Sequence, residues 1–236
     1  MGLIDIHTHI LHGVDDGAKS IGDSMGLLDE EQMQGVDQVI LTPHYGPKFG
    51  HPDAELLKDH YMELCERVRK YYPQMKLYLG SELYYQKETV SDLNQGRALT
   101  MNGTRYVLVE FGITDSYSYI CRAMQELSYA GYIPIIAHAE RYEAIFWHVK
   151  KVEELVHMGA YIQLNAESLI GGIFNKQTAF CKKLIKEGLM HFLGSDCHDV
   201  RERRPHMEQA AKILNKKGQD HILTVHPQRM LEGKNL

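Results

Sequence analysis

The chain has 236 residues, 44% of them hydrophobic and 24% charged, with a formal net charge of −5. That length and apolar fraction suit one domain with a sizeable core, and the acidic balance argues against a general nucleic-acid binder while leaving room for a local basic pocket. Met1-Gly2 runs directly into Leu3-Ile4 with no basic region or long apolar stretch, and Cys65, Cys121, Cys181 and Cys197 form no C-x-x-C pair; no signal peptide, membrane span or disulfide framework is expected, and the reading is of a soluble, cytoplasmic protein with reduced thiols.

Short apolar runs recur at 3–6, 38–42, 76–80, 106–109, 133–137, 161–164 and 191–194. Val39-Ile40-Leu41 and Tyr106-Val107-Leu108-Val109 are continuous rather than alternating, as expected of parallel strands buried on both faces. Between the runs lie segments of helical periodicity. The first, 21–34, carries Ser24, Leu27, Leu28 and Glu31 and ends at Gly35. The second, 54–71, places Leu56, Leu57, Tyr61, Leu64, Cys65 and Val68 on one stripe before Pro73 stops it. Further helices are predicted near 118–131, 150–159, 178–188, 204–218 and 227–231, several ending in Gly just before a strand, as at Gly131, Gly159 and Gly188. About seven β-α units without a linker predict one α/β domain over 1–236, a closed or nearly closed (β/α) barrel rather than an open sheet.

Functional side chains of a parallel barrel sit at the C-terminal ends of its strands. The ends predicted here carry His7 with His9, His44, Glu82, Glu110, His138, and Asp196 with His198; only the strand at 161–164 ends without an ionisable group, at Asn165. A single His or Glu in such a place is more often a solvated loop residue. Alternate residues at a strand end share a face, however, so His7 and His9 can reach one ion, and Asp196 and His198 have the same spacing. Asp15-Asp16-Gly17, in the loop after the first strand, reads equally as a turn or as a donor. With Asp16 the set reaches nine donors (His7, His9, Asp16, His44, Glu82, Glu110, His138, Asp196 and His198), too many for one ion, so two or three divalent ions fit better. Imidazole and carboxylate without a thiolate cage suit manganese, iron or zinc. Arg141 and Arg203 lie just beyond donor positions, where a guanidinium could hold a phosphate oxygen pair, although arginines in such runs are commonly surface charges.

These residues resemble the polymerase-and-histidinol-phosphatase (PHP) superfamily. The resemblance is carried by Ile4-Asp5-Ile6-His7-Thr8-His9, Asp15-Asp16-Gly17, Thr42-Pro43-His44, Gly80-Ser81-Glu82, Val109-Glu110-Phe111 and Ser195-Asp196-x-His198. With Ala137-His138-Ala139-Glu140-Arg141-Tyr142 it narrows to the manganese-dependent bacterial protein-tyrosine phosphatases of capsule and exopolysaccharide gene clusters, and it runs almost end to end. It implies a distorted, TIM-like (β/α)₇ barrel, the PHP fold, and a trinuclear site. One ion would be held by His7, His9, Glu110 and Asp196, a second by His44, Glu110 and His138 with Glu110 bridging, and a third by Asp16, Glu82 and His198, with His9 or Glu82 able to be shared. It further implies Mn²⁺ as the usual metal, Arg141 and Arg203 on the phosphate (Arg201 and Arg204 stand close enough to replace the latter), and a metal-activated hydroxide as nucleophile. No general acid is assigned. The implied substrate is a phosphotyrosyl protein, specifically a membrane-associated bacterial tyrosine kinase met at the cytoplasmic face.

Three rivals are carried forward. Cys197 to Arg203 has the C-x₅-R spacing of cysteine-dependent tyrosine phosphatases, but the segment lacks glycine and its neighbours Asp196 and Asp199 would raise the thiol pKa. A small-molecule phosphoester phosphatase of the histidinol-phosphate type would use the same donors. A non-catalytic metal-binding regulatory module would be expected to have lost some of them. Tyr45, Tyr84, Tyr85, Tyr117 and Tyr119 could line a cleft, with packing the favoured reading.

Overall fold

The structure, a computed structural model, describes residues 2–172 and 174–236. Among the described residues nine strand segments run in parallel: β1 (Leu3–Thr8), β2 (Val36–Leu41), β3 (His44–Tyr45), β4 (Lys76–Leu79), β5 (Glu82–Tyr84), β6 (Tyr106–Glu110), β7 (Ile133–Ile136), β8 (Tyr161–Asn165) and β9 (Phe192–Gly194). They pair as a three-stranded ladder, β1-β2-β4, and a six-stranded one, β3-β5-β6-β7-β8-β9. Pro43 separates β2 from β3, and Gly80-Ser81 separates β4 from β5. Across these breaks the Gly80 N–H donates to Leu41 O (2.8 Å) and the Glu82 N–H to Pro43 O (3.0 Å). At the far edges the Asp196 N–H donates to His7 O (2.8 Å) and the His9 N–H to Cys197 O (2.9 Å), so the sheet curls until β9 meets β1. The fold is α/β with a curled parallel sheet.

The helices are α1 (Ile21–Met33), α2 (Ala54–Tyr71), α3 (Thr89–Asn94), α4 (Tyr117–Tyr129), α5 (Val149–His157), α6 (Ala166–Ile170), α7 (Lys176–Lys186), α8 (Met207–Asn215) and α9 (Val225–Leu231). Ser20 and Asp23 cap α1 reciprocally, which satisfies two of its free N-terminal donors. Gly131, Gly159 and Gly188 take the left-handed turn (φ 89°, 96° and 70°) that ends a helix and sends the chain back into the sheet. The short α3 and α6 fall outside the sequence expectation, having too few residues to show a period. The helix expected over 204–218 begins only at Met207, because Pro205 disfavours helical backbone at Arg204 and His206 is left-handed (φ 55°).

Two apolar layers result. The larger lies between sheet and helices, with Leu27, Leu28, Val39, Leu64, Val107, Leu127 and Leu184 among its members. The smaller fills the curl itself, with Ile4, Ile6, Ile40, Tyr106, Leu108, Ile135 and Phe192 closed by Met230 and Leu231 of α9. Strict alternation would put His7 on the face opposite Ile6. A register shift against β2 between Asp5 and Thr8 inserts one residue and reverses the parity, so Ile6 and His7 both enter the curl. That bulge lets one strand serve the core below and the donors above.

Candidate metal centre

All nine predicted donors meet at the strand ends. His7 Nε2 lies 3.2 Å from His9 Nε2 and 3.3 Å from Glu82 Oε1, with Asp196 Oδ1 at 3.7 Å. His9 Nε2 approaches Glu82 Oε2 (3.3 Å) and Asp196 Oδ1 (3.4 Å). His44 Nδ1 lies 2.9 Å from Glu82 Oε2 and 3.7 Å from Glu110 Oε2, and His138 Nε2 lies 2.8 Å from Glu82 Oε1 and 3.8 Å from Glu110 Oε1. Asp16 Oδ1 sits between His44 Nε2 (3.4 Å) and His198 Nε2 (3.3 Å). Among the described residues three groups offer ligand atoms within 4.8 Å of one another: His9, Asp16, His44 and His198; His7, His9 and Glu82; and His44, Glu82 and Glu110.

The central carboxylate is therefore Glu82, where the resemblance implied a bridging Glu110. Glu82 is fully buried and touches four imidazoles, whereas the Glu110 side chain is 22% exposed at the mouth. His44 also falls with Asp16 and His198, a grouping the implied partition lacks.

Whether divalent ions fit can be judged from the donor atoms left over. His44 Nδ1 and Glu82 Oε2 are buried 2.9 Å from one another and His198 Nε2 is buried 3.3 Å from Asp16 Oδ1, yet none of the three makes a hydrogen bond of good geometry. A buried polar atom left without a well-formed hydrogen bond costs on the order of 1–3 kcal/mol, and a cation among these donors would supply the missing partner. The outer nitrogens are already committed. His7 Nδ1–H donates to Gln163 Oε1 (3.1 Å), His9 Nδ1–H to Asp15 Oδ2 (2.7 Å) and His198 Nδ1–H to Asp196 O (2.9 Å), which leaves each Nε2 lone pair facing inward. Metal-binding histidines are oriented in this way. The residues fit.

Sequence reasoning passed over the residues that hold these rings. Gln163 Oε1 also accepts the His138 N–H (2.8 Å), Gln163 Nε2 donates to Asn165 Oδ1 (2.9 Å), and Asn165 Nδ2 donates to Asp196 Oδ2 (2.8 Å). The signal was two amides at period two in the apolar run Tyr161–Asn165, the one strand end without a charge. Asp15, read only as part of a turn, accepts from His9, Gly17 N–H and His44 N–H. His138 (φ 31°) and Asp196 (φ 55°) adopt left-handed backbone that costs a non-glycine residue on the order of 1–3 kcal/mol and recurs at functional sites.

The electrostatics are mutual. Burial works against charge on His7, but Glu82 and Asp196 outweigh it and raise its pKa; His9 rises further, beside Asp15. Burial likewise opposes the charge on Glu82 and Asp196, yet the imidazoles hold both well below the ordinary carboxylate range. Glu110 goes the other way, pushed up to about 8 by burial and by the Glu82 charge. Glu82 and Asp196, held in their charged form, are the acceptors a cation would meet.

The centre opens into a cleft of about 640 Å³. Arg141 Nη1 pairs with Asp196 Oδ2 and Arg203 Nη2 with Asp196 Oδ1, both at 2.9 Å, and both arginines line the cleft. Arg204 instead pairs with Glu30, and Arg201 is exposed, so Arg203 is the member of its run that faces the centre. Of the tyrosines, Tyr84 lines the cleft, whereas Tyr45 and Tyr85 are buried and bonded to Asp92 and Glu126. Cys197 is fully buried, its Sγ 3.7 Å from Glu31 Oε1, and burial with the Glu31 and Asp5 charges pushes its pKa well up. A thiolate nucleophile needs the opposite surroundings.

A family model for capsular polysaccharide synthesis proteins CpsB/CapC matches residues 3–232. The chain belongs to this family. It is 33% identical over 220 residues to the tyrosine-protein phosphatase CpsB of Streptococcus pneumoniae, covering 91% of this chain and 90% of that protein. A solved structure from work on YwqE of Bacillus subtilis and CpsB of S. pneumoniae, described as unique metal-dependent tyrosine phosphatases, superposes with a TM-score of 0.92 at 30% identity over 99% of this chain and 96% of that one. The phosphotriesterase of Mycobacterium tuberculosis shares the fold alone, with a TM-score of 0.60 at 13% identity over 98% and 94% of the two chains. Among the described residues no helix is long and apolar enough to cross a membrane.

Proposed function

We propose that this chain is a metal-dependent protein-tyrosine phosphatase, a single-domain cytoplasmic hydrolase that removes phosphate from phosphotyrosyl proteins of capsule or exopolysaccharide synthesis. The observation that carries it is the convergence of nine imidazole and carboxylate donors with two arginines on one cleft. Membership of a family whose relatives are named tyrosine-protein phosphatases supports the reaction class. A membrane-associated tyrosine kinase is the natural substrate in this reading. If the kinked pairs β2/β3 and β4/β5 each count as one strand, the curled sheet is a distorted (β/α)₇ barrel.

His7, His9, Asp16, His44, Glu82, Glu110, His138, Asp196 and His198 would hold two or three divalent ions, with Mn²⁺ suited to the mix of nitrogen and oxygen donors. Such ions, when bound, neutralise charge on phosphate and lower the pKa of water. The protein's own contribution is placement. Gln163, Asp15 and the Asp196 carbonyl fix the histidine tautomers so that lone pairs point inward. Arg141 and Arg203 each bring several N–H donors to the cleft, enough to bind Asp196 and still hold equatorial phosphate oxygens, where charge grows in the transition state. The tyrosyl oxygen leaves toward the open end of the cleft. No covalent intermediate on Cys197 is involved.

The test is hydrolysis of a phosphotyrosyl peptide after chelation and after adding back manganese, with histidinol phosphate in parallel. Loss with chelator, recovery with manganese and preference for the peptide are expected. Preference for histidinol phosphate would move the chain to a small-molecule phosphatase, and full activity in chelator would refute the metal reading.

A further inference from the structure

Besides the donors and arginines, the cleft is lined by Phe49, Tyr84, Phe111 and Ile113, with the Lys48 ammonium 4.8 Å from the Phe49 ring centroid, and three of these apolar side chains stand outside the core. Phe49 follows β3, Tyr84 ends β5 and Ile113 lies in the loop after β6, so the three stand on successive strand ends of one ladder. None belongs to either core layer. Tyr84 is 38% and Ile113 58% exposed, an uncommon use of large apolar groups beside a cluster of charges. Phe49 stacks flat on His44, with ring centroids 4.1 Å apart and planes 2° apart, which places an aromatic ring at the lip of the centre. Tyr84 is let into the rim by two glycines. A Cβ on Gly46 would come within 2.6 Å of Tyr84 Cβ, and one on Gly112 within 3.1 Å of its hydroxyl oxygen. The Glu143 N–H donates to Ile113 O (3.0 Å), tying the Ile113 loop to the segment just after Arg141.

We propose that Phe49, Tyr84 and Ile113 form an aryl-binding rim that receives the ring of the phosphorylated side chain while its phosphate lies at Arg141 and Arg203. The rim, rather than the metal centre, then determines preference for aryl over alkyl phosphomonoesters. This rests on the phosphatase reading above and adds its specificity determinant. A planar ring with an apolar face and a polar tip suits the site, because it buries apolar area against three side chains and delivers its oxygen to the charged end. An alkyl phosphate reaches the same arginines and donors but leaves the rim in water.

The test uses the manganese-loaded protein and two non-hydrolysable probes, phenylphosphonate and methylphosphonate, whose dissociation constants are measured by calorimetry. The wild type is expected to bind the phenyl probe at least about tenfold more tightly, the size of effect a well-fitted apolar group gives. Ile113→Ser and Tyr84→Ala should each lower that ratio several-fold with unchanged methylphosphonate affinity and metal content, and Ile113→Leu and Tyr84→Phe should preserve it. Turnover of a phosphotyrosyl peptide should show a raised KM with kcat nearly constant in the two disruptive variants. A wild-type ratio near one, or variants that weaken both probes equally, overturns the rim. A phenyl preference with no turnover of any phosphomonoester overturns the phosphatase reading instead.

Discussion

The two ends of the curled sheet are built on opposite principles from the same strands. At the N-terminal end of the strands the curl is filled by Ile4, Ile6, Tyr106, Leu108 and Phe192 under α9, and polar tips there find partners: the Tyr106 hydroxyl donates to Lys234 O at 2.7 Å and that of Tyr78 to Gln38 Oε1 at 2.9 Å. At the C-terminal end equally buried positions hold His7, His9, Glu82, Gln163 and Asn165, and His44 Nδ1, Glu82 Oε2 and His198 Nε2 make charged contacts but no hydrogen bond of good geometry. Burial is alike at both ends and polar satisfaction is not. Stability is therefore concentrated in the lower layer, and the upper one is held in a costly arrangement for the sake of its chemistry.

Substitutions should divide the same way. The largest loss of activity is expected from Glu82→Gln, on the order of 10³-fold in kcat/KM with the far-ultraviolet circular dichroism of the fold retained, because it removes the central charge that ions and imidazoles share. Activity that survives it within about tenfold would remove Glu82 from the centre. Arg141→Ala and Arg203→Ala should each cost on the order of 10²-fold in kcat/KM, with Lys substitutions falling between, since a point charge cannot reproduce a paired contact with phosphate.

The lower layer should respond in stability and not in chemistry. Phe192→Ala should cost about 3–5 kcal/mol in denaturant unfolding through the cavity it leaves, with kcat/KM per folded molecule unchanged. A fall in kcat/KM without loss of stability would blur the division between the ends. The smallest effect is one of pH. Burial, with His226 nearby, depresses the His191 pKa to about 4 from an ordinary 6.5, and its Nδ1 accepts the Ile162 N–H. Between those values the unfolded chain binds the proton first, so stability should be lost as the pH falls from about 6.5 towards about 4. His191→Asn should flatten that slope in thermal melts.

Much of this was legible in the sequence, for definite reasons. Apolar runs and helix-ending glycines mark β-α units because parallel strands are buried on both faces and each helix needs a left-handed exit. The nine donors stood out because strand ends of such a sheet converge, and all nine meet. What could not be read depends on depth and register. The bulge at Asp5 to Thr8 that turns His7 inward leaves no compositional trace, nor does the choice of Glu82 over Glu110 as the central carboxylate, which follows from how far each strand end is buried. Gln163 and Asn165 were overlooked because amides resemble neither ligands nor core, although their role is to orient both. Cys197 shows the reverse error that spacing invites: C-x₅-R places an arginine at the cleft, but the thiol points away from it into a buried pair of carboxyls.

The most direct measurement is an anomalous-scattering map from crystals grown with manganese. The account predicts two or three peaks inside the cluster, within ligand distance of His7, His9 and Glu82 and of Asp16, His44 and His198. A single peak coordinated only by Asp16 and Glu110 at the mouth, or no peak among these residues, would contradict it.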